Sequence, residues 1–215
     1  MIPFYQGQLD CFCAAYAVLN AMRLLYALPL SEARALFNGM LIELVADPEE
    51  FSAIALNAVD HTDWVRRLLI GLERGPRTVR VVEPFAAART VFPRKSGPHA
   101  LDVGKHLIHS SGGVSPEALW ERLEDWIGAL ALHERLRAVV FRFHRYVSPD
   151  SFPVVSHWTT AGKITGRVLD LADASAEPTA VHSISRTGFV TAREHLNMEQ
   201  LVQIEPGTLF LLERR

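Results

Sequence analysis

Cysteine is nearly absent from this chain: there are two in 215 residues, Cys11 and Cys13, and they stand two positions apart. Neighbours this close rarely bridge and cannot staple a fold. A disulfide framework is therefore excluded, and a reduced, cytoplasmic protein is expected. Long apolar runs are missing too. None approaches the ~18 residues that a membrane span needs, and the opening MIPFYQGQLD has neither a basic n-region nor an apolar h-region. No sign of charge dominates: 22 Lys and Arg stand against 24 Asp and Glu, a formal net charge of -2. Such a balance offers no basic surface to nucleic acid and points to neither nucleic-acid nor membrane partners. Repeats and low-complexity tracts are also lacking. What remains, at 49% hydrophobic and 21% charged, has the composition of one globular domain with a sizeable core.

The front of the chain carries helical patterning. Residues 13 to 27 place apolar side chains almost all round a helix, the mark of an element buried on most sides. Asp10 stands where a cap could precede it. LSEARALFNGMLIELVADPEEF predicts a second helix capped by Ser31 and stopped before Pro48, a third follows over 48–59, and a fourth restarts near Asp60 or Asp63. VRVVEPF has the look of a short strand. Residues 85–113 then lose periodicity while gathering Gly, Pro and three histidines, the pattern of a functional excursion. SPEALWERLEDWIGALALHER restores a helix, with Ser115 as cap and Pro116 in the first position.

From Arg137 the texture changes to strands: RAVVFRF, FPVVSHWTTAG, GRVLDLAD, SISRTGFVTA and GTLFLLER. Gly162 and Gly166 bracket an expected hairpin between the second and third. The expectation is one α+β domain over 1–215, with a helical part over about 1–133 and an antiparallel β part over about 134–215.

The chemistry centres on the cysteines. A thiol becomes a nucleophile at neutral pH when a helix N-terminus or an imidazolium lowers its pKa from about 8.5. Cys13 heads the apolar helix, near the positive end of its dipole. Strand alternation puts Val155 and His157 on one face, and the returning strand ends in Asp170 and Asp173, either of which could orient a histidine. The parts of a Cys-His-Asp triad thus occur in order.

At these residues the chain resembles the papain-like cysteine peptidases. CAAYAVLNA is similar to their nucleophile helix, where an aromatic residue and then small apolar ones follow the cysteine; Cys13, Tyr16 and Ala17 take those places. His157 followed by Trp158, with Asp173 sixteen residues after the histidine, resembles the downstream half of the site, and LADAS is similar to the ending common in bacterial members. Asp170 is too near to fit that pattern. The family also sets a glutamine about six residues ahead of the cysteine to help bind the oxyanion. Gln8 and Gln6 stand five and seven ahead of Cys13, so both remain open. Cys11 is the alternate nucleophile, because its Asp-Cys pair resembles that of bacteriocin-processing and ubiquitin-like-deconjugating peptidases.

The resemblance implies a papain-like fold, with a helical N-terminal lobe packed on a C-terminal antiparallel sheet lobe. It also implies a thiol hydrolase cleaving a peptide or isopeptide bond with no metal or organic cofactor. The reading without a pro-segment points to a selective maturation peptidase or deconjugase, whose substrate is a peptide or protein such as a precursor or a ubiquitin-like tail. Acyl transfer of transglutaminase type, and an inactive binding module on the same scaffold, are the alternatives. Packing of Trp158 on His157 is the family expectation. Trp64, Trp120 and Trp126 are expected in the core. The eight other histidines, which lack a partner motif, are expected at the surface or in loops.

Overall fold

The computed structural model describes residues 3–5, 12–56, 60–74, 77–86, 113–128, 136–175 and 180–215. Most of the 85–113 excursion, with His99, His106 and His109, lies outside these residues, as does Asp10. The described part is α+β. Helices α1 (Cys13–Tyr26), α2 (Leu30–Val45), α3 (Pro48–Ala55) and α4 (Thr62–Glu73) come first, followed by strand β1 (Val79–Val82) and helix α5 (Pro116–Ile127). Strands β2 (Arg137–Arg145), β3 (Val155–Thr165), β4 (Val168–Leu171), β5 (Ser183–Ser185), β6 (Phe189–Val190), β7 (Val202–Ile204) and β8 (Phe210–Arg214) complete the chain.

The strands form one sheet in the order β1-β8-β2-β3-β4-β5. One edge of β2 is shared, with β8 pairing Arg137–Val140 and β7 pairing Phe143–Arg145. Two features refine the expectation of a helical part packed on a sheet part. The strand β1 from the helical part joins the sheet through β8, and α5 packs on the opposite face from α1. Alternation along β2 makes this division. Ala138 and Val140 lie in the core with α1, α2 and α4, whereas Val139, Phe141 and Phe143 lie in a second core with Leu119, Trp120, Leu123 and Ile127 of α5. The sheet is also not wholly antiparallel: SISRTGFVTA yields two short strands, and the second, β6, runs parallel to β7.

Local chemistry accounts for the helix ends. Ser115 Oγ accepts from the Ala118 N–H at 3.1 Å with Pro116 in the first turn, as the sequence predicts. The second helix begins two residues early, at Leu30, with Pro29 as its cap residue, so Ser31 sits inside the first turn rather than capping it. Proline suits that cap because its extended backbone lies just outside the helix. Asp47 caps α3 by accepting from the Glu50 N–H. Trp64 and Trp120 are buried, while Trp126 is partly buried and donates its indole N–H to the Leu212 carbonyl.

Only one of the two glycines expected to bracket the hairpin turns the chain. Gly166, at φ 61°, forms the turn between β3 and β4. Gly162 lies inside β3, where the register to β4 shifts between Ala161 and Lys163. Its role is close approach: a methyl group there would sit 3.0 Å from Leu24 Cδ1 of α1. Gly162→Val should therefore push α1 off the sheet and cost about 1–3 kcal/mol of overpacking, read as a lower urea midpoint at unchanged slope.

Candidate active site

Nearly every side chain of α1 is apolar and buried, so the helix is enclosed by the sheet on one side and by α2 and α4 on the other. Cys13 is its first residue. The backbone N–H of a first helical residue has no partner within the helix, and the dipole's positive end lies beside it. Cys13 as a whole is 9% exposed. Ahead of it, the Phe12 ring meets Phe37, Phe51 and Trp64 at centroid distances of 6.2 to 6.4 Å, which anchors the entry to the helix.

His157 reaches the sulfur from β3. Strand pairing sets it opposite Phe143, whose ring it meets edge-on at 6.1 Å. Its Nε2 lies 3.1 Å from Asp173 Oδ1, an ion-pair distance at which the ring N–H is angled away from a straight hydrogen bond. With Nε2 turned to the carboxylate, the other ring nitrogen remains for the sulfur. Asp173 is 3% exposed, and its Oδ1 also accepts from the Ser175 N–H at 2.6 Å. Trp158 does not pack on His157 as the family pattern suggested. Adjacent strand residues point to opposite faces, and Trp158 faces the α1 core with Phe210 at 6.3 Å.

Asn20 connects the nucleophile helix to the carboxylate. Its Oδ1 accepts from the Phe4 N–H at 2.7 Å, and its Nδ2 donates to the Phe4 carbonyl at 3.1 Å and to the Ala172 carbonyl at 3.3 Å. Ala172 precedes Asp173 and donates its own N–H to Thr160 on β3. One amide thereby fixes the strand exit that carries Asp173 against the helix that carries Cys13.

The electrostatics favour a charge-separated pair. Burial pushes the Cys13 thiol up, yet the neighbouring imidazoles, His157 first and then His61, favour the thiolate and bring the thiol down to about 5. Burial likewise pushes His157 down, but the Asp173 carboxylate and the Cys13 thiolate beside it carry it up to about 10. Between these limits sulfur is anionic and His157 cationic.

His61 is the residue that the sequence did not mark. It was expected at the surface, and it is instead 3% exposed beside the sulfur; His144 is equally buried, bonded through Nε2 to Glu205 Oε1 at 2.6 Å. Neither has a partner motif, because their partners lie far away in sequence. The one local signal for His61 was Asp60, a helix-start residue that places the next residue at the cap of α4.

The other candidates fall elsewhere. Asp170 is a surface residue of the β3–β4 hairpin, accepting from Thr165 Oγ1 at 2.7 Å with Lys163 at 4.0 Å. Gln6, Gln8 and Cys11 lie outside the described residues. Among the described residues, no three or more His, Cys, Asp or Glu side chains gather as a metal site, and no helix is long and apolar enough to cross a membrane. Compared with models of known families, with curated proteins and with solved structures, the chain matches none.

Two outcomes are expected from this geometry. Alkylation of Cys13, mapped by peptide mass spectrometry, should rise with pH through about 5, stay level across neutrality and change again near about 10 as His157 loses its proton. A single rise in the ordinary thiol range would contradict the pair. Asn20→Ala, which leaves backbone groups of Phe4 and Ala172 without their partner, should lower unfolding free energy by about 1–3 kcal/mol in urea titrations.

Proposed function

We propose that this chain is a thiol hydrolase of papain-like type, acting on a peptide or isopeptide bond. The observation that carries the proposal is the grouping of Cys13, His157 and Asp173: a thiol at a helix N-terminus, an imidazole beside it, and a buried carboxylate 3.1 Å behind the imidazole. In this reading Cys13 Sγ attacks the carbonyl carbon, and the displaced π pair becomes an oxyanion near the Cys13 N–H. His157 gives its proton to the leaving amine, so that the tetrahedral species collapses to a thioester. Water then attacks the thioester, His157 accepting its proton, and the acid is released as the thiol re-forms. Asp173 holds the ring and its positive charge throughout.

The α+β arrangement supports the papain-like part of the reading, because a buried helix lies across a sheet with the thiol at the helix end and the histidine on a strand. Gln8 or Gln6 would supply a side-chain donor to the oxyanion. A protein or peptide substrate such as a precursor or a ubiquitin-like tail, cleaved selectively in a bacterial cytoplasm, is consistent with the near-neutral charge.

A thiol-directed electrophile tests the proposal at neutral pH. Wild-type Cys13 should be modified much faster than a free cysteine, and His157→Ala should remove most of that advantage. Equal rates in the two proteins would count against the triad. On a peptide-amide substrate, Cys13→Ala should abolish turnover and Asp173→Asn should lower kcat by about 10²–10⁴-fold. Adding a primary amine separates hydrolysis from acyl transfer by the product formed.

A further inference from the structure

Among the described residues, the triad leaves one buried polar side chain near the sulfur unused. His61 approaches Cys13 from the helical side of the molecule, whereas His157 approaches from β3. Both ring nitrogens of His61 are buried without a hydrogen-bond partner, and its ring lies close enough to Cys13 to favour the thiolate. The ring is also held firmly. Trp64 packs edge-on against it at 6.1 Å, and the same indole meets Phe12, the residue before the nucleophile, at 6.2 Å. Its backbone is the cap residue of α4, with the His61 carbonyl accepting from the Val65 N–H at 2.9 Å.

One residue earlier, Asp60 Oδ1 accepts from the Thr62 N–H at 3.0 Å and from Thr62 Oγ1 at 2.6 Å, which shapes the turn that presents His61. The same oxygen faces Arg142 Nη1 of β2 at 3.4 Å. Arg142 is in turn bonded to Ser156 Oγ at 2.9 Å, next to His157. A buried chain of polar contacts thus spaces the two histidines from opposite sides of the seam. A histidine kept only for packing would not need this support, and an apolar ring would fill the same volume without leaving two nitrogens unpaired.

We propose that His61 is a second catalytic histidine, which donates a hydrogen bond to the Cys13 sulfur and holds the thiolate independently of His157. The proposal rests on the thiol-hydrolase reading and divides its labour. The thiol proton resides on His157 and leaves with the amine, while His61 keeps its own proton through every step. When the sulfur lone pair forms the C–S bond and the carbonyl π pair moves to oxygen, His61 has only to release the sulfur it was holding. Among the described residues, the charged or titratable groups near the sulfur are then His157 from β3, with Asp173 behind it, and His61 from the cap of α4, with the Asp60–Arg142 pair behind it.

The test is the pH profile of iodoacetamide alkylation mapped to Cys13, in wild type, His61→Phe, His61→Gln, His157→Ala and the His61→Phe/His157→Ala double variant. His61→Phe keeps a ring against Trp64 and removes both nitrogens, and near-ultraviolet circular dichroism checks that the fold is retained. Its acid limb should move up by about one pH unit or more, a tenfold or greater loss of thiolate on that limb. His61→Gln, whose amide can still donate, should recover most of the shift. His157→Ala should keep a limb below the ordinary thiol range, and the double variant should lose it. A His61→Phe profile superimposed on wild type, or a His61→Gln profile equal to that of His61→Phe, overturns the role of His61 and leaves the triad standing. A wild-type profile that already matches a free thiol removes both.

Discussion

Burial of α1 is the constraint from which the other features follow. A helix apolar on almost every side cannot lie on a surface, so the sheet must close one flank and α2 and α4 the other. Once enclosed, the helix can end only at a seam between its neighbours, and its first residue is Cys13. The glycine at 162 allows this contact, since Leu24 lies where any larger residue would put its side chain. The same enclosure lowers the local dielectric around the sulfur. An isolated thiolate there would be costly, and that cost is offset by two imidazoles and a helix terminus rather than by water.

The burial that disfavours the charged forms also strengthens their attraction. Cys13 and His157 each pay a desolvation penalty, and each is shifted the other way by its partner. Asp173 matters because it stands behind the imidazole, away from the sulfur. It fixes ring orientation and supports the cation, and Asn20 fixes in turn the backbone just before it. Removing any one of these leaves an uncompensated group in a region with little room for water.

Local patterns were legible in the sequence, and long-range contacts were not. The all-round apolar stretch after Cys13 foretold a buried helix, Ser115 and Pro116 foretold where α5 begins, and the change to alternating residues at Arg137 foretold the sheet. Cys13, His157 and Asp173 could be nominated because their order and spacing resemble a family pattern. The pattern misled for Trp158, where simple alternation from His157 already required the opposite face. It also said nothing of α5 crossing to the far side of the sheet, which depends on the path of a chain and not on its periodicity. His61, His144 and Asn20 illustrate the same limit. Each is polar and buried; Asn20 and His144 are bonded to groups between 16 and 152 residues away, and His61 lies with both nitrogens unpaired near a sulfur distant in sequence. No window along the chain contains both members of such a pair.

The buried charges around Arg142 bear on why the seam keeps its shape. Arg142 lies between Asp60 and Glu205, and Glu205 also meets His144. Burial pushes Glu205 up, but Arg142 and then His144 reverse this and hold it below the usual carboxylate range. Buried ion pairs of this kind stabilise little compared with apolar residues of the same size, while losing one member is costly. Their contribution is therefore geometric. Arg142 belongs to β2 and Asp60 to the turn before α4, so their contact fixes the height of that turn above the sheet. Ser156 extends the link to the neighbour of His157 on β3. An apolar patch could fill this space, but it could slide, and the separation of His61 from His157 would slide with it. A directional contact between sheet and helix holds both imidazoles at one sulfur.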